Sequence, residues 1–219
     1  MTALLLLHTS PVHVPVFDAL RDRNHPGAVL RHLVAPELLD RARTAGPESV
    51  APALRALLAE AGAGAEAGFG AVLVTCSTIG ATAESLAPAL GVPVLRVDRP
   101  MAAAAVRAGT RIAVLAAVES TLAPTRELLA EEAGERPVSI RTHLVAGAWE
   151  RFEEGDTAGY LARVAEAAGA VTDADVIVLA QASMAGAADL VTGTVPVLSS
   201  PAPGLAAGLA ASLATRSAP

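Results

Sequence analysis

The chain has 219 residues, of which 53% are apolar and only 2% aromatic, and it carries a formal net charge of −6. That length supports one large α/β domain or two small lobes with a sizeable core, and the abundance of Ala, Val and Leu suits close helix-on-sheet packing; a disordered or densely charged chain is excluded. Scattered arginines, with no lysine, exclude a nucleic-acid surface, and a lone cysteine excludes an intramolecular disulfide framework or a Cys-rich metal site.

No apolar run reaches the roughly 18 residues needed to cross a bilayer. The first eight residues lack the basic start and the length of a signal peptide. The expectation is a cytoplasmic protein with neither membrane nor nucleic acid as a partner.

In chain order, strands and helices alternate. Leu4 to Leu7 predicts a strand, His8-Thr9-Ser10-Pro11 a polar loop, and Val14 to Arg21 a short helix. A strand from about Ala28 to Val34 follows, then a helix opened by Pro47 and running to about Ala61. Ala63 to Gly70 is a connector of small residues. Ala71 to Val74 is an apolar, β-branched run that predicts a buried parallel strand, and an alanine-rich helix is expected from about Thr82 to Leu90. Gly91 to Arg96 predicts a short strand and Pro100 the start of a helix ending at Gly109. The second pass predicts strands at Ile112–Ala116, Val138–Val145, Val176–Ala180 and Val195–Leu198. Its helices fall at Thr121–Glu132, from a cap at Asp156 to Ala168, at Ala185–Val191, and in the Ala/Gly/Leu tail from Pro203 to Ala214. Such alternation predicts parallel sheets with helices on both faces.

The two passes repeat one another. His32-Leu33-Val34-Ala35 returns as His143-Leu144-Val145-Ala146, Val92-Pro93-Val94-Leu95 as Val195-Pro196-Val197-Leu198, and Val72 to Thr78 lies over Ile177 to Ser183. Three matches in one order at nearly one offset indicate an internal duplication. Two lobes follow, 1–98 completed by the C-terminal helix 200–219, and 99–199. They would be related by a pseudo-twofold axis, with strand-end loops facing one cleft and positions 76 and 181 opposite each other.

Cys76 closes the central strand of the first pass. Ligands of open α/β sheets bind at the carboxyl edge, where the following helix presents unpaired N–H groups, and the positive end of a helix dipole favours thiolate over thiol. Against this stands the ordinary role of a free cysteine as a small buried hydrophobe. Thr9, Ser10, Ser77, Thr78, Ser120, Thr121 and Ser183 all fall in predicted strand-to-helix loops, where hydroxyls and backbone N–H groups can hold a carboxylate; each is also an ordinary helix cap taken singly. His8 and His13 flank the first loop as possible proton donors or packing residues. His32 and His143 read as structure inherited with the duplication. Glu119 is a candidate second base or a helix-start carboxylate, Asp98-Arg99 a lobe junction or surface ion pair. Trp149, Phe152 and Tyr160 are too sparse for a stacking platform and are expected to seal helices. No G-x-G-x-x-G or P-loop pattern occurs.

Thr75-Cys76-Ser77-Thr78, the Thr9-Ser10-Pro11 loop, the Glu119-Ser120-Thr121 loop and the whole-chain duplication together resemble the aspartate/glutamate racemase superfamily, which also holds hydantoin racemases, maleate cis-trans isomerases and arylmalonate decarboxylases. The resemblance implies an α/β fold of two flavodoxin-like (Rossmann-like) lobes, each with a parallel sheet flanked by helices. It implies an enzyme with no cofactor and no metal that acts beside the carboxylate of a small amino acid or dicarboxylic acid, commonly as a homodimer. Cys76 is then the catalytic thiol. Members usually carry a second cysteine in the other half, and here that position is Gln181, whose amide donates and accepts hydrogen bonds but cannot exchange a proton near neutral pH. Three functions remain: a racemase or isomerase with one thiol, a cofactor-free decarboxylase in which a single thiol protonates the carbanion, and a degenerate carboxylate-binding protein. The decarboxylases of the superfamily keep their cysteine in the other half, so Cys76 fits them imperfectly.

Overall fold

The computed structural model describes residues 3–63 and 68–215. Residues 64–67 of the expected connector and 216–219 of the expected C-terminal helix lie outside the described residues.

The chain forms two compact units. One holds the residues up to Val97 together with those from Pro201 onward, and the other is Asp98–Ser200. In the first, β1 (Ala3–His8), β2 (Leu30–Val34), β3 (Phe69–Val74) and β4 (Val94–Arg96) form a parallel sheet in the order β2-β1-β3-β4. In the second, β5 (Arg111–Ala116), β6 (Ser139–Leu144), β7 (Val176–Leu179) and β8 (Val197–Ser199) repeat it as β6-β5-β7-β8.

Register repeats with order. Leu6 faces His32 where Leu115 faces His143, and Val72 faces Val94 where Ile177 faces Val197. Thus the positions matched in sequence are also matched in the two sheets.

The central strands explain the core. Leu5, Leu7, Val72 and Val74 point into one apolar cluster, and Leu4, Leu6, Ala71 and Leu73 into another. Ala113, Leu115, Ile177 and Leu179 are separated in the same way from Ile112, Val114, Val176 and Val178 in the second unit. Alternate residues therefore bury on opposite faces, which is why these strands read as unbroken apolar runs. β6 is an edge strand, mostly exposed, and its Arg141, Thr142 and His143 suit that place.

Helices cover both faces. They are α1 (His13–Asn24), α2 (Pro36–Ala45), α3 (Ala51–Ala63), α4 (Ser77–Glu84) and α5 (Ala87–Leu90) in the first unit. In the second are α6 (Arg99–Ala108), α7 (Leu122–Ala133), α8 (Ala148–Glu153) and α9 (Thr157–Gly169). The final helix, α10 (Pro201–Ala214), returns to the first unit and packs on β3. Asp156 caps α9 as expected, accepting the Gly159 N–H at 2.9 Å.

Several expected boundaries move. The helix expected over Thr82–Leu90 begins five residues earlier at Ser77 and breaks at Ser85-Leu86, where Pro88 opens α5 and the Ser85 hydroxyl donates to the Thr82 carbonyl at 2.7 Å. The helix expected from Pro47 opens as one 3₁₀ turn, Pro47–Val50, and α2 and α8 are additional. Ala182–Leu190 is a 3₁₀ helix rather than an α-helix.

α10 approaches its sheet through glycines. A Cβ at Gly204 would collide with the backbone carbonyl of Val97, one at Gly70 with that of Ser212, and one at Gly208 would come to 3.0 Å from the Leu4 side chain. Backbone obstacles cannot rotate away. Gly204→Ala is therefore expected to destabilise the protein by about 1–3 kcal/mol, the usual cost of overpacking, read as a lower urea midpoint.

Candidate active site

Cys76 follows β3 by two residues and is the N-cap of α4, with extended backbone angles and no side-chain capping bond. Its side chain is partly exposed. The thiol thus stands at the carboxyl edge of the first sheet with its sulfur uncommitted to holding the turn.

Ser77 and Thr78 lie not in a loop but in the first turn of α4, both nearly buried. This corrects the expected placement: the helix starts directly after Cys76, so the two residues' backbone N–H groups belong to the first turn of a helix. Thr9 and Ser10 do lie in the loop between β1 and α1. In the second unit Ser120 and Thr121 form a 3₁₀ turn with Glu119, Thr121 being buried and Glu119 exposed. The β1 and β3 ends come together in the first unit and the β5 and β7 ends in the second, because each pair of strands is adjacent.

Gln181 occupies the position matching Cys76 and does something different. Its Oε1 accepts the N–H groups of Ala117 at 2.6 Å and Val118 at 3.1 Å, tying the end of β7 to the end of β5. Ser183, four residues past the end of β7 at Leu179, shares a 2.8 Å hydrogen bond with the hydroxyl of Tyr160. Tyr160 also packs against Phe152, which stacks on Trp149, so the second unit's aromatic residues seal its helices.

Beneath the first edge lies a polar cluster the sequence did not disclose. His8, wholly buried at the end of β1, has Nδ1 2.8 Å from Thr75 Oγ1 and Nε2 2.8 Å from His32 Nδ1. His32 in turn reaches Asp18 of α1 at 3.4 Å, and Asp18 pairs with Arg21. His13, the first residue of α1, lies 6.1 Å from His8 between ring centres, and its Nδ1 is buried without a hydrogen bond. His143, the register equivalent of His32, is exposed on β6. The repeat therefore preserved the position and not the role. Arg99 turns to Glu131 and Glu132 of α7, at 3.1 and 2.7 Å, as a bridge within the second unit.

Sequence comparison matches the profile of the Asp/Glu/hydantoin racemases over residues 15–207. The chain belongs to this family. A comparison with curated protein sequences gives no match. Among solved structures, a glutamate racemase isoform from Bacillus anthracis aligns at TM-score 0.71 and 18% identity, over 99% of this chain and 83% of that one. An aspartate racemase from Picrophilus torridus aligns at 0.69 and 15%, over 97% and 94%. A glycine-to-cysteine, cysteine-to-serine double mutant of arylmalonate decarboxylase in its liganded form aligns at 0.59 and 22%, over 97% and 93%. These likenesses carry the racemase fold of two four-stranded parallel sheets flanked by helices. Among the described residues no helix is long and apolar enough to cross a membrane.

Burial sets the charge of the buried groups. Desolvation, reinforced by His13 and His32, lowers the pKa of His8 from 6.5 to about 3, and desolvation lowers that of His13 to about 4. Both imidazoles are neutral in the folded family member, whereas in the unfolded chain they take up protons near pH 6.5. Between those limits the unfolded state binds more protons, so stability is full above about pH 6.5 and falls as the pH drops toward 4. The melting temperature is expected to decline from pH 7 to pH 5, and His13→Phe to remove part of that decline.

The same logic runs the other way for Tyr160, the chain's one tyrosine, whose pKa burial raises from 10 to about 12 while the Ser183 hydrogen bond works to lower it. Absorbance at 295 nm should show no phenolate at pH 10. Ser183→Ala should move the titration higher still.

Proposed function

We propose that this family member is a cofactor-independent racemase- or isomerase-type enzyme that acts next to the carboxylate of a small amino acid or dicarboxylic acid, with Cys76 as its one catalytic thiol. The observation that carries the proposal is the position of that sulfur: partly exposed, at the carboxyl edge of a parallel sheet, at the N-cap of α4 and free of any capping bond. A thiolate there can take a proton from a carbon acid, or add to an activated double bond.

The task of a carbon acid is stabilisation of the anion that remains. Donors aimed at a substrate carboxylate hold the charge as it spreads onto the carboxylate oxygens, and removal of one such donor costs other enzymes about 2.7–4 kcal/mol. Thr9, Ser10, Ser77 and Thr78 supply these donors at the Cys76 edge of the first unit, and Ser120, Thr121, Gln181 and Ser183 offer the same chemistry at the corresponding edge of the second unit. Gln181 contributes through its NH₂, since its oxygen is already taken by Ala117 and Val118. Ser183 contributes through a hydroxyl whose position Tyr160 fixes.

Two-base racemisation needs a proton donor on each face of the carbanion. An amide at position 181 provides none, so the proposed enzyme has a single sulfur to move protons. This favours a second reading, decarboxylation, in which loss of CO₂ generates the carbanion and one thiol suffices to protonate it. The substrate in either case is a small carboxylate, handled without a metal or organic cofactor, and we place the enzyme in the cytoplasm as a homodimer.

The test is deuterium uptake at the α-carbon of candidate acids in heavy water, followed by mass spectrometry and chiral chromatography, with Cys76→Ala as control. Exchange abolished in Cys76→Ala is the expected outcome for aspartate, glutamate or a hydantoin; retained configuration would indicate one-base chemistry, and inversion a second base opposite the thiol. CO₂ release from an arylmalonate would establish the decarboxylase reading. Absence of both, with tight binding of the acid, would leave a carboxylate-binding protein.

A further inference from the structure

The first unit contains a hydrogen-bonded chain of four side chains from four elements: Asp18 on α1, His32 on β2, His8 on β1 and Thr75 directly after β3. It ends on the residue that precedes Cys76. We propose that His8 is a positioning residue for the Cys76 turn, clamping Thr75 so that the turn is held without help from the sulfur.

Counting protons shows how the clamp is built. The Thr75 hydroxyl has one proton and two neighbours that can receive it, the Leu7 carbonyl at 3.1 Å and His8 Nδ1 at 2.8 Å. If it goes to Leu7, His8 donates its Nδ1–H to Thr75 and accepts the His32 Nδ1–H at Nε2, and His32 must then carry a second proton on its own Nε2 to reach the Asp18 carboxylate. If it goes to His8, the direction reverses and the His8 Nε2–H donates to His32. In either arrangement His8 is one donor and one acceptor, and its ring cannot turn without losing both bonds. Phe17, 5.6 Å away between ring centres and fully buried, closes another side of the imidazole. The Thr75 backbone N–H donates to Leu7 at 3.0 Å, so main chain and side chain fasten the same residue to β1.

The second unit supplies the control. By register and repeat, Ala117 stands for His8 and Ala180 for Thr75, and neither has a polar side chain. There the strand ends are joined by Gln181 itself, through its bonds to Ala117 and Val118. Each half thus needs a tie between its two central strand ends. One half assigns the tie to the residue at the cysteine position; the other assigns it to His8 and Thr75, one residue earlier, and leaves the cysteine uncommitted. The buried pair has no other evident task, because a wholly buried imidazole cannot touch substrate.

The inference rests on Cys76 being the working group, but its test needs no substrate. Cys76 is the only cysteine, so alkylation by iodoacetamide reports on that turn alone. Thr75→Val, which keeps shape and removes the hydroxyl, and His8→Phe, which keeps a ring and removes both nitrogens, should each speed alkylation under native conditions about three- to tenfold through local opening. The double variant should react no faster than either single one, since both break the same tie. Thr75→Ser, retaining the hydroxyl, should stay within about twofold of the parent, and ¹⁵N-histidine spectra should show the His8 nitrogens changed by Thr75→Val and not by Thr75→Ser. A rate unchanged in Thr75→Val, or effects that multiply in the double variant, would overturn the clamp. Should His8→Phe not fold, the Thr75 pair decides the question alone. A chain that exchanges no α-deuterium yet shows this alkylation pattern refutes the proposed reaction and leaves the clamp standing; the reverse result refutes the clamp only.

Discussion

A parallel strand buried on both faces has to hide every side chain along its length and can offer chemistry only where it ends. β1, β3, β5 and β7 are such strands: nearly every residue in them is excluded from water, and alternate side chains feed separate apolar clusters on the two faces of each sheet. Polar groups are therefore displaced to the carboxyl ends, where the chain turns into a helix. His8, Thr75, Cys76 and Gln181 all occupy that zone. Each buried leucine or valine is worth about 1.5–3 kcal/mol, so the strand interiors leave little freedom for anything except packing.

The two units satisfy this constraint with the same strand order and register and with different chemistry at the ends. A loop that leaves a buried strand carries backbone N–H groups that need partners. In the second unit the Gln181 carboxamide supplies one oxygen to two of them. In the first, the side chains of His8 and Thr75 do the joining, and the residue homologous to Gln181 within the repeat is a cysteine with no structural bond of its own. A thiol is a poor hydrogen-bonding partner, and a side chain that holds the fold together is a poor choice for one that must change its protonation state. Separating the two duties removes the conflict in the half that carries the sulfur.

Much of this was legible from residues and some was not. The apolar runs Leu4–Leu7, Val72–Val74 and Ile177–Leu179 announce buried parallel strands because both faces must be covered, and the repeated strings give the duplication that the two sheets then display. The family match over residues 15–207 agrees with the resemblance carried by the Cys76 turn. The sequence signals the start of α4 too late because Ser77 and Thr78 look like loop residues; a helix N-terminus uses the same small polar residues, and only the tertiary position of Cys76 as N-cap distinguishes them. α2 had its signals, Pro36 at the first helical position and Glu37 in the first turn, yet the second proline at Pro47 drew the helix start to itself. Gln181 was recognisable as a departure from the thiol pattern, but not its bonds to Ala117 and Val118, which depend on the neighbouring strand.

The histidines show most clearly what a linear sequence withholds. His32 and His143 lie in identical tetrapeptides and in equivalent register, which argues for equivalent roles. Their partners differ: the His32 ring bonds to that of His8 on β1, whereas the residue of β5's end that corresponds to His8 is Ala117, and the His143 ring is left on an exposed edge. A side chain's function here is set by what lies across the strand pair and not by the string in which it occurs. The cost of placing His8 and His13 in an apolar setting appears as pKa values driven far below that of a free imidazole. The buried Nδ1 of His13 goes without a hydrogen bond, whereas both His8 nitrogens find partners, and three of the elements packed around His8 contribute to this: β2 through His32, β3's end through Thr75, and α1 through Asp18 acting on His32. The polar chain is thus a consequence of the same burial that shapes the strands, turned at one strand end to the support of the turn that carries the thiol.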